Sequence, residues 1–288
     1  MTQDLITGLL HERIAAARQT LVEAGFRPDD AAVDVDVLAR HVLGWDRAQL
    51  LARVRDSAPA GFAEPFRALV TRRARREPVA LIIGHREFWG LDFSVTGGTL
   101  VPRPESELIV EEALRRLPET EGSTVLDVGT GSGCLAIAIA HQRQAANVVA
   151  TDLSPDALAV ASMNARAHGV ERRVHFVCAD LTEGLTIRAD LIVANPPYVP
   201  EQSARSLSPD VVQYEPAVAL FGGADGLRIT RRLLQEAPAR LAPGGALVME
   251  FGDGQEEAVR DAADRAGWQV DGMLHDLQGI ARTIILRR

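Results

Sequence analysis

The chain has 288 residues, of which 47% are hydrophobic and 24% are charged; this suits a globular protein of two domains, or one α/β domain with an appendage. All 31 basic residues are arginines, which excludes lysine Schiff-base chemistry, pyridoxal phosphate enzymes and a P-loop with its lysine. The net charge of −8 disfavours non-specific nucleic-acid binding, and two cysteines, Cys134 and Cys178, are too few for a disulfide framework or a cysteine-rich zinc site. We therefore expect neither a metal nor a directly bound nucleic acid.

The sequence carries no signal for a membrane. No apolar run approaches the roughly 18 residues that a membrane-spanning helix needs. The N-terminus, Met1–Asp4, lacks the basic start and apolar core of a signal peptide. We expect a cytoplasmic protein that does not bind membranes.

Residues 1–83 show the pattern of a small helical bundle. Leu10, Ile14, Ala17 and Leu21 recur at helical spacing, and Gly25 followed by Pro28 ends the first helix. A second helix is predicted from about Asp29, and shorter helices at residues 46–54 and 61–76. The densest basic segment is interpreted as a solvated helix face; it consists of Arg72, Arg73, Arg75 and Arg76.

Residues 84–104 change to a strand pattern. Leu91, Phe93 and Val95 alternate with polar residues, and the pair Gly97-Gly98 predicts a turn before a second strand at residues 99–101. We interpret this segment as a β-hairpin linker between the helical domain, residues 1–83, and a second domain, residues 105–288.

From about Ser106 onward, predicted strands and helices alternate. This order is typical of a mainly parallel sheet that is covered by helices on both faces. The final two strands have no helix between them, so the last strand is predicted to run antiparallel. The predicted strands are Thr124–Val128, Asn147–Thr151, Val174–Cys178, Leu191–Ala194, Ala246–Phe251, Trp268–Gly272 and Arg282–Leu286. Helices are predicted to begin near Gly133, Pro155, Gly226 and Gln255.

A glycine-rich loop follows the first of these strands. The strand residues Val125–Val128 lead into Gly129-Thr130-Gly131-Ser132-Gly133, which permits close approach of a ligand at the carboxyl end of the sheet. A dinucleotide fingerprint would require glycine at position 134, where Cys134 stands. The loop, preceded by Asp127, resembles motif I of class I S-adenosylmethionine methyltransferases.

The next strand ends in a second candidate residue, Asp152. It follows the glycines by about 20 residues, a distance at which an acid can accept both ribose hydroxyls. The alternative is a residue of the helix-start turn, although Ser154 is the better helix cap. The resemblance further implies that Asp180 and Leu181 contact adenine; Asp180 could equally be a loop residue. The resemblance assigns cofactor binding to Asp127, Gly129, Thr130, Gly131, Ser132, Gly133, Asp152, Leu153, Asp180, Leu181 and Asn195.

The fourth predicted strand ends at Asn195-Pro196-Pro197-Tyr198. The two prolines fix the backbone and remove two N–H donors, which leaves the Asn195 side-chain oxygen and the Pro196 carbonyl as acceptors. These two acceptors can hold both hydrogens of a planar –NH2 group, with Tyr198 packed against its face. The alternative is a rigid turn. The loop predicts methylation of a planar amide or amino nitrogen, with Asn195, Pro196 and Tyr198 catalytic and Pro197 also contacting the substrate.

Further segments resemble one family over nearly the whole chain, the bacterial protein-glutamine methyltransferases that modify the Gly-Gly-Gln motif of class-1 peptide chain release factors. Two departures are Ser106, where the family usually has threonine, and Leu181, where some members have an aromatic residue. The segments are residues 77–78, 83–84, 88–91, 101–107, 125–133, 195–198, 214–216, 222–226 and 250–252.

The resemblance implies a Rossmann-like class I S-adenosylmethionine methyltransferase domain. It has a mainly parallel seven-stranded sheet with the last strand antiparallel, a small N-terminal helical bundle and a connecting β-hairpin. It also implies that the helical domain grips the release factor, and we expect a monomer. Arg103 and Glu105 could help to present the substrate or could form a structural ion pair. The alternatives are a glutamine methyltransferase acting on a ribosomal protein and a DNA or RNA amino-methyltransferase.

Overall fold

The computed structural model of the protein describes residues 9–288, and the expectation about Met1–Asp4 lies outside the described residues. Within residues 9–288, no helix is both long and apolar enough to cross a membrane. The same residues contain no group of three or more His, Cys, Asp or Glu side chains placed to hold a metal ion.

The N-terminal part of the chain is helical. The predicted helices are confirmed as α1 (Leu10–Glu23), α2 (Pro28–Leu43), α3 (Arg47–Arg53) and α4 (Ala63–Ala74), and a short helix α5 (Val79–Ile83) follows. Gly25 has a φ of 85° and Pro28 occupies the first turn of α2, which separates the first two helices as their sequence indicates. The buried faces of α1 and α2 form one apolar cluster with Phe62, Phe66 and Val70.

The hairpin differs from its prediction. It consists of β1 (His85–Phe88) and β2 (Leu91–Ser94), antiparallel, with Phe88 opposite Leu91. Its turn is Trp89-Gly90, where both residues have positive φ, 55° and 71°, as a type I′ hairpin turn requires. The predicted strand at residues 99–101 is wrong: Gly97-Gly98 does make a turn, but no strand follows it. Trp89 carries no turn signal in the sequence, so the glycine pair was the stronger indication.

The rest of the chain forms the predicted α/β sheet. Its elements are α6 (Glu107–Arg116), β3 (Ser123–Val128), α7 (Cys134–Gln142), β4 (Ala146–Asp152), α8 (Pro155–Ala167), β5 (Val174–Cys178), β6 (Ala189–Ala194), α9 (Pro209–Tyr214), α10 (Ala217–Leu220), α11 (Arg228–Glu236), β7 (Leu241–Glu250), α12 (Glu256–Arg265), β8 (Gln269–His275) and β9 (Ala281–Arg287). The strand order is β5-β4-β3-β6-β7-β9-β8. β9 runs antiparallel to both of its neighbours, β7 and β8, whereas the other neighbouring strands are parallel.

The backbone contacts divide the chain into two compact units. The helical unit comprises the residues up to Gly84 together with α9, and the sheet unit comprises His85–Ser208 and Glu215–Arg288. Within the helical unit, Tyr214 Oη donates a hydrogen bond to the carbonyl of Arg75 at 2.9 Å. The sequence does not indicate that α9, which follows the Asn195 loop in the chain, packs with the N-terminal helices.

The arginine-rich segment at the end of α4 is not a solvated face throughout, so that interpretation is wrong for Arg73. Arg73 is buried and pairs with Asp34 at 2.6 Å and with Asp210 of α9 at 2.5 Å. The guanidinium of Arg76 stacks on Phe26. Burial raises the pKa of Asp34, although its hydrogen bond to Arg73 opposes that shift. Arg72, Arg73 and Arg76 are thus held by partners within the helical unit.

Candidate active site

The register of the sheet brings four strand ends into one row. Val128 of β3 pairs with Thr151 of β4 and with Ala194 of β6, and Ala194 in turn pairs with Met249 of β7. The next residue on each strand therefore lies at the same edge: Gly129, Asp152, Asn195 and Glu250. The strand order reverses direction between β3 and β6, and such a switch point is where open α/β sheets bind ligands.

The glycine loop is shaped by positive backbone angles and by a buried carboxylate beneath it. Gly129, Gly131 and Gly133 have φ of 78°, 56° and 84°. Asp127 is fully buried, and its Oδ2 accepts hydrogen bonds from Thr130 Oγ1 at 2.7 Å and from the Ala136 amide at 3.2 Å. Burial raises the pKa of Asp127 to about 7. Asp127 thus ties the loop to the start of α7 instead of facing the cavity.

A cavity of about 280 Å³ lies over this edge of the sheet unit. Gly129 and Gly131 line it, and a Cβ added to either would meet no atom within 4 Å, so both leave open the space that a ligand would fill. None of the seven histidines, all of which the structure describes, lines the cavity. The predicted site residues on its wall are Arg103, Gly129, Thr130, Gly131, Ser132, Asp152, Leu153, Asp180, Leu181, Asn195 and Pro197; Glu105, Asp127, Gly133, Pro196 and Tyr198 are not on it.

Asp152 is held by the backbone on both sides. Its Oδ2 accepts the Gly131 amide at 2.8 Å and its Oδ1 accepts the Ser154 amide at 2.9 Å. The Ser154 hydroxyl caps α8 by accepting the Ala157 amide at 3.2 Å, so the capping role falls to Ser154 as the sequence favoured. The Asp152 carboxylate is fixed at the cavity wall and couples the second strand end to the glycine loop.

Asp180 and Leu181 both lie on the cavity wall after β5. Asp180 Oδ2 forms an ion pair with Arg232 of α11 at 3.1 Å. Leu181 has a positive φ of 53°, rare for a branched side chain, and its carbonyl accepts a hydrogen bond from Thr151 Oγ1 at 2.9 Å. This hydrogen bond anchors the strained residue to the end of β4, while the Asp180 side chain is engaged by Arg232.

The Asn195 side chain is held by two residues from elsewhere in the sheet unit. Asn195 Nδ2 donates to Ser106 Oγ at 2.9 Å, and Ser106 Oγ donates to Glu250 Oε2 at 2.5 Å. The other carboxylate oxygen, Oε1, accepts the Tyr198 hydroxyl at 3.2 Å. Within residues 9–288, no donor hydrogen-bonds to Asn195 Oδ1 or to the Pro196 carbonyl. Both acceptors that the sequence singled out thus lack a donor within residues 9–288, and of the two residues Asn195 lines the cavity whereas Pro196 does not.

Burial shifts the pKa values of the side chains in and beside this group of hydrogen bonds. Glu250 is 1% exposed, and burial raises its pKa to about 7 although the hydrogen bonds from Ser106 and Tyr198 oppose that shift; the nearby Glu105 charge adds a smaller increase. Burial and the Glu250 charge raise the pKa of the Tyr198 hydroxyl, which therefore remains a hydrogen-bond donor. Burial likewise raises the pKa of Cys134, on the cavity wall, to about 12, which favours the protonated thiol at neutral pH.

The backbone of the Pro197-Tyr198 segment is packed against glycines of the segment 222–226. A Cβ on Gly222 would lie 2.4 Å from the Pro197 carbonyl oxygen, and a Cβ on Gly226 would lie 2.1 Å from that of Tyr198. Gln255 Nε2 donates to the Tyr198 carbonyl at 2.9 Å. Only glycine permits this approach, which explains the glycines among the residues that carry the family resemblance.

Arg103 has an ionic partner that the sequence did not indicate. Its Nη2 contacts Glu215 Oε1 at 2.5 Å, and the Glu215 side chain is only 1% exposed. The proposed ion pair between Arg103 and Glu105 is thus replaced by one between Arg103 and Glu215, residues that are 112 positions apart. Glu105 acts on the site through its charge, which helps to raise the pKa of Glu250.

Ser106, Glu215, Glu250 and Gln255 were given no role from the sequence. Ser106, Glu215 and Glu250 stood within segments that carried the resemblance, which was the only signal available for them. Their contacts join residues that are far apart in the chain: Ser106 and Glu250 are separated by 144 positions. No local pattern indicates such a pair.

Two family models match the chain. The model of the "Methyltransferase small domain" matches residues 106–214, and that of the "PrmC N-terminal domain" matches residues 12–84. The first match includes the glycine loop, Asp152 and the Asn195 loop.

Relatives match over nearly the full length. The release factor glutamine methyltransferase of Cereibacter sphaeroides is 42% identical, with 96% of this chain and 97% of the relative covered. The release factor glutamine methyltransferase of Geobacter sulfurreducens is 43% identical, with 93% and 92% covered. Among solved structures, a methyltransferase from Pyrococcus furiosus superposes with a TM-score of 0.53 at 19% identity, covering 75% of this chain and 95% of that structure. This last similarity supports the fold alone.

Proposed function

Because the chain belongs to the release factor glutamine methyltransferase family and is an S-adenosylmethionine-dependent methyltransferase, we propose which group it methylates. The acceptor is the side-chain amide nitrogen of the glutamine in the Gly-Gly-Gln motif of class-1 peptide chain release factors, and the modification supports translation termination.

The Asn195 carboxamide is the observation that carries this proposal. Its nitrogen is committed to Ser106 at 2.9 Å, so its oxygen is the end available to an incoming ligand. Together with the Pro196 carbonyl it offers two acceptors, which match the two hydrogens of a primary amide. A hydroxyl or a thiol has a single hydrogen and would leave one acceptor unpaired, at a cost of about 1–3 kcal/mol.

The cavity fits the methyl donor by its chemistry. The open space over Gly129 and Gly131 and the carboxylate of Asp152 suit a ligand with a ribose, and Asp180, Leu181 and Leu153 suit the adenine end. S-adenosylmethionine supplies an electrophilic methyl group on a sulfonium. We assign its binding to these residues together with Thr130, Ser132 and the Asn195 backbone, with Asp127 and Gly133 shaping the loop from beneath.

The protein's part in the transfer is positioning. Asn195 Oδ1 and the Pro196 carbonyl hold the amide hydrogens, which turns the nitrogen lone pair toward the methyl group and reduces its delocalisation into the glutamine carbonyl. Tyr198 and Pro197 pack against the planar amide. Bound S-adenosylmethionine would supply the methyl group to this nitrogen and leave as the neutral thioether, and water would take the proton that the methylated amide releases. Such an in-line displacement requires orientation more than a strong base.

The release factor is held by more than its reacting glutamine. A Gly-Gly-Gln loop offers little surface, so binding energy must come from contacts away from the amide. We assign these binding contacts to the helical unit. Arg103, fixed by Glu215 at 2.5 Å, contributes a guanidinium at the cavity wall for the polypeptide next to the glutamine, with Glu105 as its neighbour in the chain. We further propose that the enzyme acts as a monomer in the cytoplasm and binds no nucleic acid directly.

The test is methylation of a purified release factor. Incubation with S-adenosylmethionine carrying a labelled methyl group is expected to add one methyl group to the glutamine, as located by mass spectrometry. A release factor with Gln→Ala in its Gly-Gly-Gln motif is the matched control and should take up no label. Label on the control protein, or preferential label on a ribosomal protein or a nucleic acid presented in parallel, would contradict the proposal.

A further inference from the structure

Glu250 is a buried carboxylate to which the mechanism above assigns no role. It is the last residue of β7 and is 1% exposed. Each of its oxygens accepts one hydrogen bond from a residue of the site: Oε2 from Ser106 at 2.5 Å and Oε1 from Tyr198 at 3.2 Å. Burying a carboxylate is costly, and a hydrophobic residue at this place would avoid that cost. Its contacts to two site residues indicate what it contributes.

The Ser106 hydroxyl has one hydrogen to donate. An ionised carboxylate can only accept, so the hydrogen of Ser106 is directed to Glu250. The serine oxygen then presents a lone pair on its other side, and that lone pair can be satisfied only by a donor. The donor is Asn195 Nδ2, at 2.9 Å. Asn195, Ser106 and Glu250 thus form a series of two hydrogen bonds, and the direction of both follows from the charge of Glu250.

We propose that Glu250 is a positioning residue for the methyl acceptor, because through Ser106 it fixes which end of the Asn195 carboxamide faces the substrate. The inference rests on the proposed function, in which Asn195 Oδ1 accepts a hydrogen from the substrate amide. The two ends of a carboxamide have nearly the same shape, so packing alone does not distinguish them. A flipped Asn195 would turn its own –NH2 toward the –NH2 of the substrate and remove one of the two acceptors.

A neutral residue at position 250 would no longer fix the direction of these two hydrogen bonds. With glutamine there, the side-chain –NH2 can donate to Ser106, and the serine hydrogen becomes free to point at Asn195 Oδ1. Both orientations of Asn195 are then hydrogen-bonded, and part of the population presents the wrong end. The second oxygen of Glu250 accepts the Tyr198 hydroxyl, and a glutamine whose –NH2 faces Ser106 keeps its carbonyl oxygen at that place, so the Tyr198 hydrogen bond is retained and the orientation of Asn195 is what changes.

The rate of methyl transfer should also depend on pH. Burial raises the pKa of Glu250 to about 7. The groups that face it are the hydroxyls of Ser106 and Tyr198 and the charges of Glu105 and Arg282, and its own charge in turn raises the pKa of Cys134. Below this pH the carboxyl carries its own hydrogen and can donate, and the direction of the series is lost. The rate of methyl transfer should therefore rise with pH through about 7.

The decisive variants are Glu250→Gln, Ser106→Ala and Ser106→Thr, with Glu112→Gln as a control. Glu112 is a buried glutamate of α6 that pairs with Arg115 and Arg116, away from the cavity wall. We expect Glu250→Gln and Ser106→Ala each to lower kcat about 10- to 100-fold with cofactor Kd nearly unchanged, since the fault lies in orientation. Ser106→Thr keeps the hydroxyl and should recover most of the rate that Ser106→Ala loses, and Glu112→Gln should leave kcat unchanged.

Two further readouts separate positioning from a structural role. The pH profile of kcat should lose its acidic limb in Glu250→Gln, and the double variant with Ser106→Ala should be no slower than the slower single variant, because both act through one series. Nitrogen NMR of the three asparagine side chains, Asn147, Asn164 and Asn195, should show the Asn195 signal titrating near pH 7 in the wild type and not in Glu250→Gln.

A failure of the proposed function and a failure of the positioning role give different results. If the wild-type protein fails to methylate the release factor, the proposed function is wrong, while the NMR titration still tests the series of hydrogen bonds. If the wild type is active and Glu250→Gln retains its kcat and its pH profile, the positioning role is wrong and the proposed function stands.

Discussion

Individual carboxylates in this protein act by fixing their neighbours. Asp152 lies on the cavity wall, and it accepts two backbone amides, from Gly131 at 2.8 Å and from Ser154 at 2.9 Å. Each oxygen of a carboxylate has a second lone pair, so both can still accept a hydroxyl from a ligand. The same side chain can therefore hold the glycine loop and bind a ribose.

Replacement of Asp152 tests this role at the scale of one residue. Asp152→Ala removes a charged acceptor worth about 1.5–3 kcal/mol, so the Kd for S-adenosylmethionine should rise about 10- to 100-fold, as measured by isothermal titration calorimetry. Asp156→Ala is the matched control, because Asp156 is an exposed acid in the first turn of α8 and lies off the cavity wall. Equal affinities of the two variants would refute a ribose role for Asp152.

At the scale of helices and strands, the site results from the register in which the strands of the sheet pair. Because Val128, Thr151, Ala194 and Met249 pair across four strands, the residues that follow them meet at one edge. The Asn195 loop is then supported from behind by the segment 222–226, where glycines allow backbone to lie against backbone. The acceptors thus stand on a rigid base, as an orientation-dependent reaction requires.

Gly226→Ala tests this support. The new Cβ would lie 2.1 Å from the Tyr198 carbonyl oxygen, so the Asn195 loop must shift. We expect kcat to fall about 100-fold, since a displacement of about 1 Å suffices for such a loss. Gly244→Ala is the control, because Gly244 has nearly the same φ, 79° against 80°, but an added Cβ would meet nothing within 4 Å. If both variants lose activity equally, backbone strain and not close packing is the cause.

At the scale of the whole molecule, two buried acids make the folded state less stable as the pH rises. Burial raises the pKa of Asp127 from 3.8 and of Glu250 from 4.5, both to about 7. The folded state therefore holds these protons at pH values where the unfolded chain has released them. The stability that they contribute is complete below about pH 4 and is lost as the pH rises through about 7.

Unfolding in urea at several pH values checks whether the free energy of unfolding falls as the pH rises. Between about pH 4.5 and 7 the wild type should lose up to about 1.4 kcal/mol of unfolding free energy per pH unit for each of the two groups, relative to the variants that lack them. Asp127→Asn and Glu250→Gln should each flatten the curve by one such contribution. Parallel curves for the wild type and both variants would show that these acids do not titrate in this range. Activity and stability thus depend on the Glu250 charge in opposite directions.

Local sequence patterns were sufficient to predict most of the strands and helices. All seven predicted strands of the sheet exist; most of them are buried apolar runs bounded by turn residues, as is typical of an α/β protein, whereas β8 at the edge has no buried residue. The four predicted N-terminal helices also exist. The hairpin turn was misplaced because Trp89 adopts a positive φ that its residue type does not announce, whereas Gly97-Gly98 does.

The sequence by itself determined the chemistry: Gly129–Gly133 and Asp152 indicated the methyl donor, and Asn195–Tyr198 indicated a planar –NH2 acceptor. Those motifs are short, and the residues in each act together because they are neighbours in the chain. Only the tertiary structure decided how Asn195 is oriented, because Ser106 lies 89 positions before it and Glu250 lies on the neighbouring strand β7. It also decided that Arg103 pairs with Glu215 and that α9 packs with the N-terminal helices. Hydrogen bonds depend on distance and angle in space, and residues so far apart in the chain meet only once the sheet has formed.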